Sequence, residues 1–308
     1  MGPNWVSEDA ANNNWWNLMS TSSPSDRPRL VIDAHNHIGD ISATGATSTR
    51  SSGELVPDGD QIDGDIESRL RVLDRRNVDQ SIIIGPHGYL RPDGLVDTRR
   101  VNDIVAKYRM RRPDRFPAAV GIVEPLYGPR GLDEVTRCSD ELGLVGISFH
   151  TRFQGVSTNS VWVRRYLERM GELGMVAFVH SVGESVEEAL WKVGSLAEDL
   201  PDLPFVVLDA FSTFEQSMFV PYVAERCPNL VFDTATAHGW GFLRPLVERC
   251  GSSRLVYGSD LHSTAGGRTD LYDPLEDILS ADLKEEDRAA IVGGNIARVL
   301  NAAGASIG

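Results

Sequence analysis

Cysteine is scarce: Cys138, Cys227 and Cys250 are the only three in 308 residues, and none has CxxC or CxxH spacing. An odd, scattered set argues against a disulfide framework and a thiolate metal site, and a reducing, cytoplasmic setting is the expectation. Positive charge is also short, with 30 Lys and Arg against 44 Asp and Glu and a net charge of -14. Lacking a basic field, the chain is expected to partner neither nucleic acid nor an anionic membrane. No run of about 18 apolar residues occurs, so no membrane span is expected. The segment Met1 to Ser25 lacks the basic and apolar blocks of a secretory signal, and Val6 stands where a myristoylation motif needs Ser or Thr. A GxGxxG after the first apolar run is missing too, which counts against a dinucleotide-binding open sheet.

What is present is the composition of a soluble globular protein, 41% apolar and 24% charged. From Arg29 onward, eight strand-length apolar runs alternate with helical periods. The runs begin with Leu30-Val31-Ile32 and Ser81 to Ile84, continue through Ala118 to Val123, Val145 to Phe149, Val176 to Val179, Phe205 to Leu208 and Leu230 to Phe232, and end with Leu255 to Tyr257. Helices are expected over Asp65–Arg76, Val101–Arg111, Gly131–Leu142, Val161–Leu173, Ser185–Leu200, Phe214–Cys227 and Phe242–Cys250, with Ser185 and Glu188 in the form of a capping box. The alternation predicts a single (β/α)8 TIM barrel over residues 29–308, preceded by an N-terminal arm, residues 1–28. Trp5, Trp15 and Trp16 in that arm are three of six tryptophans; the arm either docks over the barrel mouth or on the partner of a homodimer, or is a frayed leader. The Ser-, Thr- and Gly-rich stretch Ile41 to Gln61 is expected as a loop over the mouth, a lid or a disordered segment.

The seven histidines gain meaning from position. His35 and His37 follow the first strand, His87 the second, His150 the fourth and His180 the fifth; His238 lies after the seventh and His262 after the eighth. Barrel chemistry belongs at these C-terminal strand ends. Two residues apart on a strand, Asp33, His35 and His37 would project together. An HxH pair alone is equally well read as satisfied core or surface histidines, but His180 and Asp260 at two other strand ends strengthen the metal reading. Together the four form an N3O set suited to one divalent ion, zinc first, with manganese, cobalt or iron as alternatives.

The ordered segments Ile32-Asp33-Ala34-His35-Asn36-His37, Gly143 to His150, Val179-His180, Leu255 to Asp260 and Ile291 to Leu300 resemble the amidohydrolase-related (amidohydrolase 2) family, the branch that includes aminocarboxymuconate semialdehyde decarboxylase. The resemblance implies a mononuclear metal on His35, His37, His180 and Asp260, with Asp260 also the base that takes a proton from metal-activated water. The chain departs from the family at the sixth strand, where Asp209 replaces a frequent histidine; Asp209 is expected as an acid or base, a substrate-recognition group or a structural carboxylate. No lysine ends strand 5 to bridge two metals, so one ion is expected. His150 is a further catalytic candidate, and Arg152, His87, Arg91 and His238 are candidates for binding substrate, the arginines against a carboxylate. Asp33 is expected to support the ligands from behind, and Asp233 and His262 are weaker candidates.

The leading functional reading is a metal-dependent hydrolase that opens an amide, lactone or ester-like bond of a small molecule through metal-activated water. Its alternative is a metal-dependent non-oxidative decarboxylase of a small carboxylic acid. A third reading, motivated by Asp209 and the Trp-rich arm, is a non-catalytic barrel that serves as a binding protein.

Overall fold

The computed structural model describes residues 30–39, 56–87, 91–263 and 274–307. The expected arm and residues 41–55 of the expected mouth loop lie outside the described residues. The apolar runs form β1 (Ile32–His37), β2 (Gln80–Ile84), β3 (Ala119–Ile122), β4 (Gly146–Phe149), β5 (Val176–His180), β6 (Phe205–Leu208), β7 (Leu230–Asp233) and β8 (Leu255–Val256). They pair in parallel, in sequence order, into one eight-stranded sheet. Ala34 N–H donates to Tyr257 O at 2.9 Å and His37 N–H to Leu261 O at 2.8 Å, bringing β1 against the β8 end. The fold is the expected (β/α)8 TIM barrel.

Between the strands run α1 (Gln61–Arg75), α2 (Leu95–Arg111), α3 (Pro129–Asp140), α4 (Val161–Glu172), α5 (Leu190–Asp199), α6 (Phe214–Arg226) and α7 (Trp240–Cys250). The chain then forms α8 (Leu275–Ser280), α9 (Glu285–Ala289) and, after a π turn, α10 (Asn295–Ala302). Strand alternation divides the core. Ile82, Ile84, Val120, Phe178, Val206 and Leu208 fill the barrel together with Ile296, Val299 and Leu300 of α10. Ile83, Ala119, Ile147, Val179 and Val207 pack instead under the surrounding helices. Among the described residues no helix is long and apolar enough to cross a membrane.

Two expectations are corrected. β1 continues through the HxH segment, so His35 and His37 lie inside the strand rather than after it. Its register against β2 shifts between Asp33 and Asn36, a bulge across which His35 and His37 still converge, their Nε2 atoms 3.0 Å apart, while Asp33 bonds Ser259. In addition, α5 begins at Leu190 with Ala189 as its N-cap, not at a Ser185–Glu188 capping box. Glu188 is fully buried and its carboxylate holds His150, so it is not available to cap the helix.

Beneath the mouth, the buried Arg69 of α1 binds the β1–β8 seam. Its guanidinium donates to Asn36 Oδ1 at 2.8 Å, His37 O at 2.7 Å and Tyr108 Oη at 3.0 Å. The backbone carrying His37 is thereby fixed before any ligand arrives.

Candidate metal centre

Each core imidazole is anchored at one nitrogen. His35 Nδ1 lies 2.6 Å from Asp233 Oδ2, with both side chains fully buried. His37 Nδ1 faces Gly85 O at 3.1 Å, and His180 Nδ1 faces Phe149 O at 3.0 Å. Carbonyl and carboxylate oxygens only accept, so these partners assign the hydrogen to Nδ1 and leave a lone pair on Nε2. The three rings offer donor atoms within 4.8 Å of one another, and His35 Nε2 stands 3.0 Å from His37 Nε2. Without a metal, a proton on His35 Nε2 bridges this gap to the lone pair of His37 Nε2, and a divalent cation would take that proton's place. Asp260 Oδ1, 3.4 Å from His35 Nε2 and 3.8 Å from His37 Nε2, adds an anionic donor. The donor set therefore fits a divalent transition metal.

The electrostatics agree with that fit. Burial disfavours charge on His35, but Asp260, Asp233 and Asp209 outweigh it and push the ring's pKa up to about 10. The same carboxylates attract a metal cation. Burial, reinforced by neighbouring rings, holds His37 and His180 well below the ordinary histidine range, in the neutral form a metal ligand requires. Burial, reinforced by Asp260, also raises the Asp209 carboxyl well above the usual carboxylate range.

The strand ends are shaped to hold these groups. Asp209, Thr236 and Asp260 have left-handed backbones, φ 62°, 61° and 54°, and all three line one cavity. That conformation costs a non-glycine residue about 1–2 kcal/mol, so neighbouring contacts must hold it. Asp209 N–H donates to Asp233 Oδ1 at 2.9 Å. Ahead of Asp260, Ser259 donates from its N–H at 3.0 Å and from Oγ at 2.5 Å to the two oxygens of Asp33. Asp33 thus pins the strand end that carries Asp260. Gly258 permits close approach, since a Cβ there would lie 2.9 Å from both Asp233 Oδ2 and the His35 Cβ.

The cavity, about 200 Å³, also receives His87, His150, Arg152, Phe153 and His262. His87 Nε2 lies 3.0 Å from Ser148 Oγ. His150 is held through Nδ1 by Glu188 Oε1 at 2.6 Å, and its ring stacks on His180 with centroids 4.1 Å apart. Arg152 lies over the Phe153 ring, 4.7 Å from the centroid, and its Nε is buried with no hydrogen-bond partner. His262 Nε2 stands 3.2 Å from Asp260 Oδ1.

The structure thus brings together His35, His37, His180 and Asp260, and places His87, His150, Arg152 and Asp209 around the same cavity. Two candidates fall outside. Arg91 is nearly buried and donates from Nε to Glu124 Oε1 at 2.6 Å, so its charge serves an internal ion pair. His238 is exposed, with its ring 5.6 Å from that of Phe242 on α7. Glu188 went unnoticed as a site residue because its sequence position reads as a helix cap. Asp233, ranked low in sequence, proves to be the carboxylate behind His35.

The sequence profile of the amidohydrolase family matches residues 32–302, nearly the whole barrel. The chain belongs to the amidohydrolase family. No curated protein matches the sequence. Among solved structures, this amidohydrolase is similar to 2,6-dihydroxybenzoate decarboxylase from Rhizobium, at TM-score 0.64 and 16% identity over 88% of this chain and 98% of that one. It is also similar to a dihydroxybenzoic acid decarboxylase from Polaromonas, solved with bound manganese and the inhibitor 2-nitroresorcinol, at TM-score 0.61 and 14% identity over 88% and 97% of the two chains. A third is 4-oxalomesaconate hydratase from Rhodopseudomonas palustris, at TM-score 0.63 and 18% identity over 89% and 96%. At these identities the likeness shows a shared fold, and the chemistry of this amidohydrolase must be argued from its own cavity.

Proposed function

We propose that this amidohydrolase is a metal-dependent carboxy-lyase, releasing carbon dioxide from a small planar carboxylic acid. The observation that carries the reading is Arg152, whose ring-stacked guanidinium stands on the same cavity as the imidazole cluster, its Nε making no hydrogen bond and only a 3.8 Å ion pair with Glu188. In a chain of net charge -14, a guanidinium at the cavity that its long contact with Glu188 leaves without a side-chain hydrogen bond is a receptor for a carboxylate. The Phe153 ring meets the His150 ring edge to face, 4.2 Å between centroids and 65° between planes, and the two line the cavity beside Arg152. The decarboxylase and hydratase neighbours act on acids of this kind by name, which supports the reading without deciding it.

His35, His37, His180 and Asp260 would hold one divalent ion, with manganese or zinc the leading choices. When bound, the ion supplies a Lewis acid that draws electron density from an oxygen of the substrate. Arg152 binds and orients the carboxylate. Protonated His262, oriented by Asp260 Oδ1 at 3.2 Å, gives its proton to the substrate carbon as the bond to the carboxyl group breaks and leaves its electron pair on that carbon, and His262 recovers a proton from solvent. His87 and His150, both buried, exclude water from the reacting bond.

The same Asp260–His262 contact favours a second reading, the hydrolase, because a carboxylate paired with an imidazole can also take a proton from water. One assay separates the two. Manganese-loaded protein is incubated with small hydroxybenzoic acids and, in parallel, with amide, lactone and ester panels in ¹⁸O-water. Carbon dioxide release that chelation abolishes and manganese restores is expected; turnover only in the second panel, with ¹⁸O in the product, overturns the carboxy-lyase reading.

A further inference from the structure

Exposed aromatic side chains gather on one flank of the barrel. Trp191 of α5 and Phe214, Phe219 and Tyr222 of α6 are between 44% and 62% exposed, and no other Trp, Tyr or Phe among the described residues is exposed. At about 200 Å² per ring, the four leave about 400 Å² of aromatic surface in water, a patch of the size that marks an interaction site. Two cavities, about 260 and 450 Å³, run along the seam between α5 and α6, and Trp191 and Phe219 line both. None of the four rings lines the metal cavity. We propose that this groove seats the N-terminal arm of the same chain, with Trp15 and Trp16 filling it.

The groove has a small floor and large walls. Gly194, inside α5, meets α6 so closely that a Cβ there would stand 3.1 Å from Val223 Cγ1. Glycine is a poor helix former, but here it lets α6 approach and leaves a slot between Trp191 and Phe219. Lys192 Nζ lies 5.6 Å from the centroid of the Trp191 ring. That ammonium donates to Ser157 Oγ at 2.6 Å and to Val186 O at 2.7 Å, so the Trp191 wall is anchored before anything docks. An apolar cavity of about 150 Å³ already accepts benzene, and each of these two is larger.

The chain itself supplies an occupant of matching chemistry. Trp15 and Trp16 stand in a run, Ala10 to Ser25, that carries no charge, in a chain that is 24% charged. The smaller cavity is neutral as well, because Arg226 on its rim is paired with Glu198 at 2.5 Å. An uncharged segment enters it without stripping water from an unpaired ion.

Reach and shape agree. Leu30 enters the amino end of β1, while Glu198, Arg226 and Cys227, at the carboxyl ends of α5 and α6, lead into the amino ends of β6 and β7. The attachment of the arm and the smaller cavity therefore lie toward the same end of the barrel. Trp16 precedes Leu30 by 14 residues, which span up to about 46–50 Å, and a compact domain of this size is about 48 Å across. A two-fold dimer would set the patch against itself. A groove opposed to itself leaves both cavities empty, whereas a segment of chain fills them.

Fluorine resonances of the full chain grown with 5-fluorotryptophan test the assignment, with Trp15→Phe and Trp16→Phe identifying the arm signals. In the wild type, the Trp15 or Trp16 signal is expected to lack the shift that exposed indoles show between H2O and D2O. Phe219→Arg and Trp191→Ser, both at exposed positions, should each restore that shift, while unmoved Trp162 and Trp240 signals report an intact barrel. A full isotope shift at both arm tryptophans in the wild type overturns the inference, as does protection that survives either variant with its barrel intact. Protection that appears only as concentration rises, with a dimer in sedimentation, places a neighbouring chain in the groove and overturns the assignment to the same chain. Each of these results leaves the proposed function standing.

Discussion

Replacing Asp233 with Asn tests how the imidazole cluster is held. Asp233 Oδ2 accepts from His35 Nδ1 at 2.6 Å and Oδ1 accepts from Asp209 N at 2.9 Å, so each oxygen has a donor to satisfy. Asparagine has one carbonyl oxygen and an NH2 group that only donates, so one of the two donors must face another donor. A hydrogen bond between an imidazole and a buried carboxylate contributes about 1.5–3 kcal/mol, and loss of a carboxylate behind a metal-ligating histidine weakens metal binding by about 10–100-fold. These agree, since a factor of 10–100 is about 1.4–2.7 kcal/mol. Competition of Asp233→Asn and wild type against a chromophoric chelator for manganese measures the shift, with circular dichroism confirming that the barrel is retained. Equal affinities in the two proteins would refute the claim that His35 Nε2 is a ligand oriented from behind.

Arg69→Met removes the guanidinium that satisfies Asn36 Oδ1 and the His37 carbonyl, and a loss of about 3–5 kcal/mol in urea-unfolding free energy is expected; a change under 1 kcal/mol would show that the β1–β8 seam holds without it. Gly258→Ala places a methyl 2.9 Å from Asp233 Oδ2 and the His35 Cβ, so metal affinity should fall together with thermal stability, and an unchanged melting temperature would contradict that packing. Manganese at 100 times its Kd should stabilise the stripped protein by about 2.7 kcal/mol, read as a rise in Tm that chelator reverses; a Tm indifferent to metal counts against a site in the folded state.

The barrel was legible because each strand carries a short apolar run and each helix a longer amphipathic one, and the helix limits over α4, α6 and α7 fall within two residues of expectation. The ends that bear function were less legible. The sequence places His35 and His37 beyond the apolar run of β1 with the spacing of an extended strand; that β1 itself runs to His37 is set by partners far along the chain, Tyr257 and Leu261. The convergence of His35, His37, His180 and Asp260 followed from their positions at strand ends. The carboxylates behind the rings did not, since Glu188 meets His150 across 38 residues and Asp233 meets His35 across 198. Local spacing carries no trace of such pairings. Arg91 illustrates the converse, a cation near the mouth in sequence that Glu124 takes up in the fold.

An anomalous-difference map recorded at the manganese and zinc edges, from crystals of protein purified without chelator, tests the metal claim most directly. The account predicts a peak about 2.0–2.2 Å from the Nε2 atoms of His35 and His37 and from Asp260. A map with no peak among these side chains, at either edge and after soaking with both metals, would contradict it.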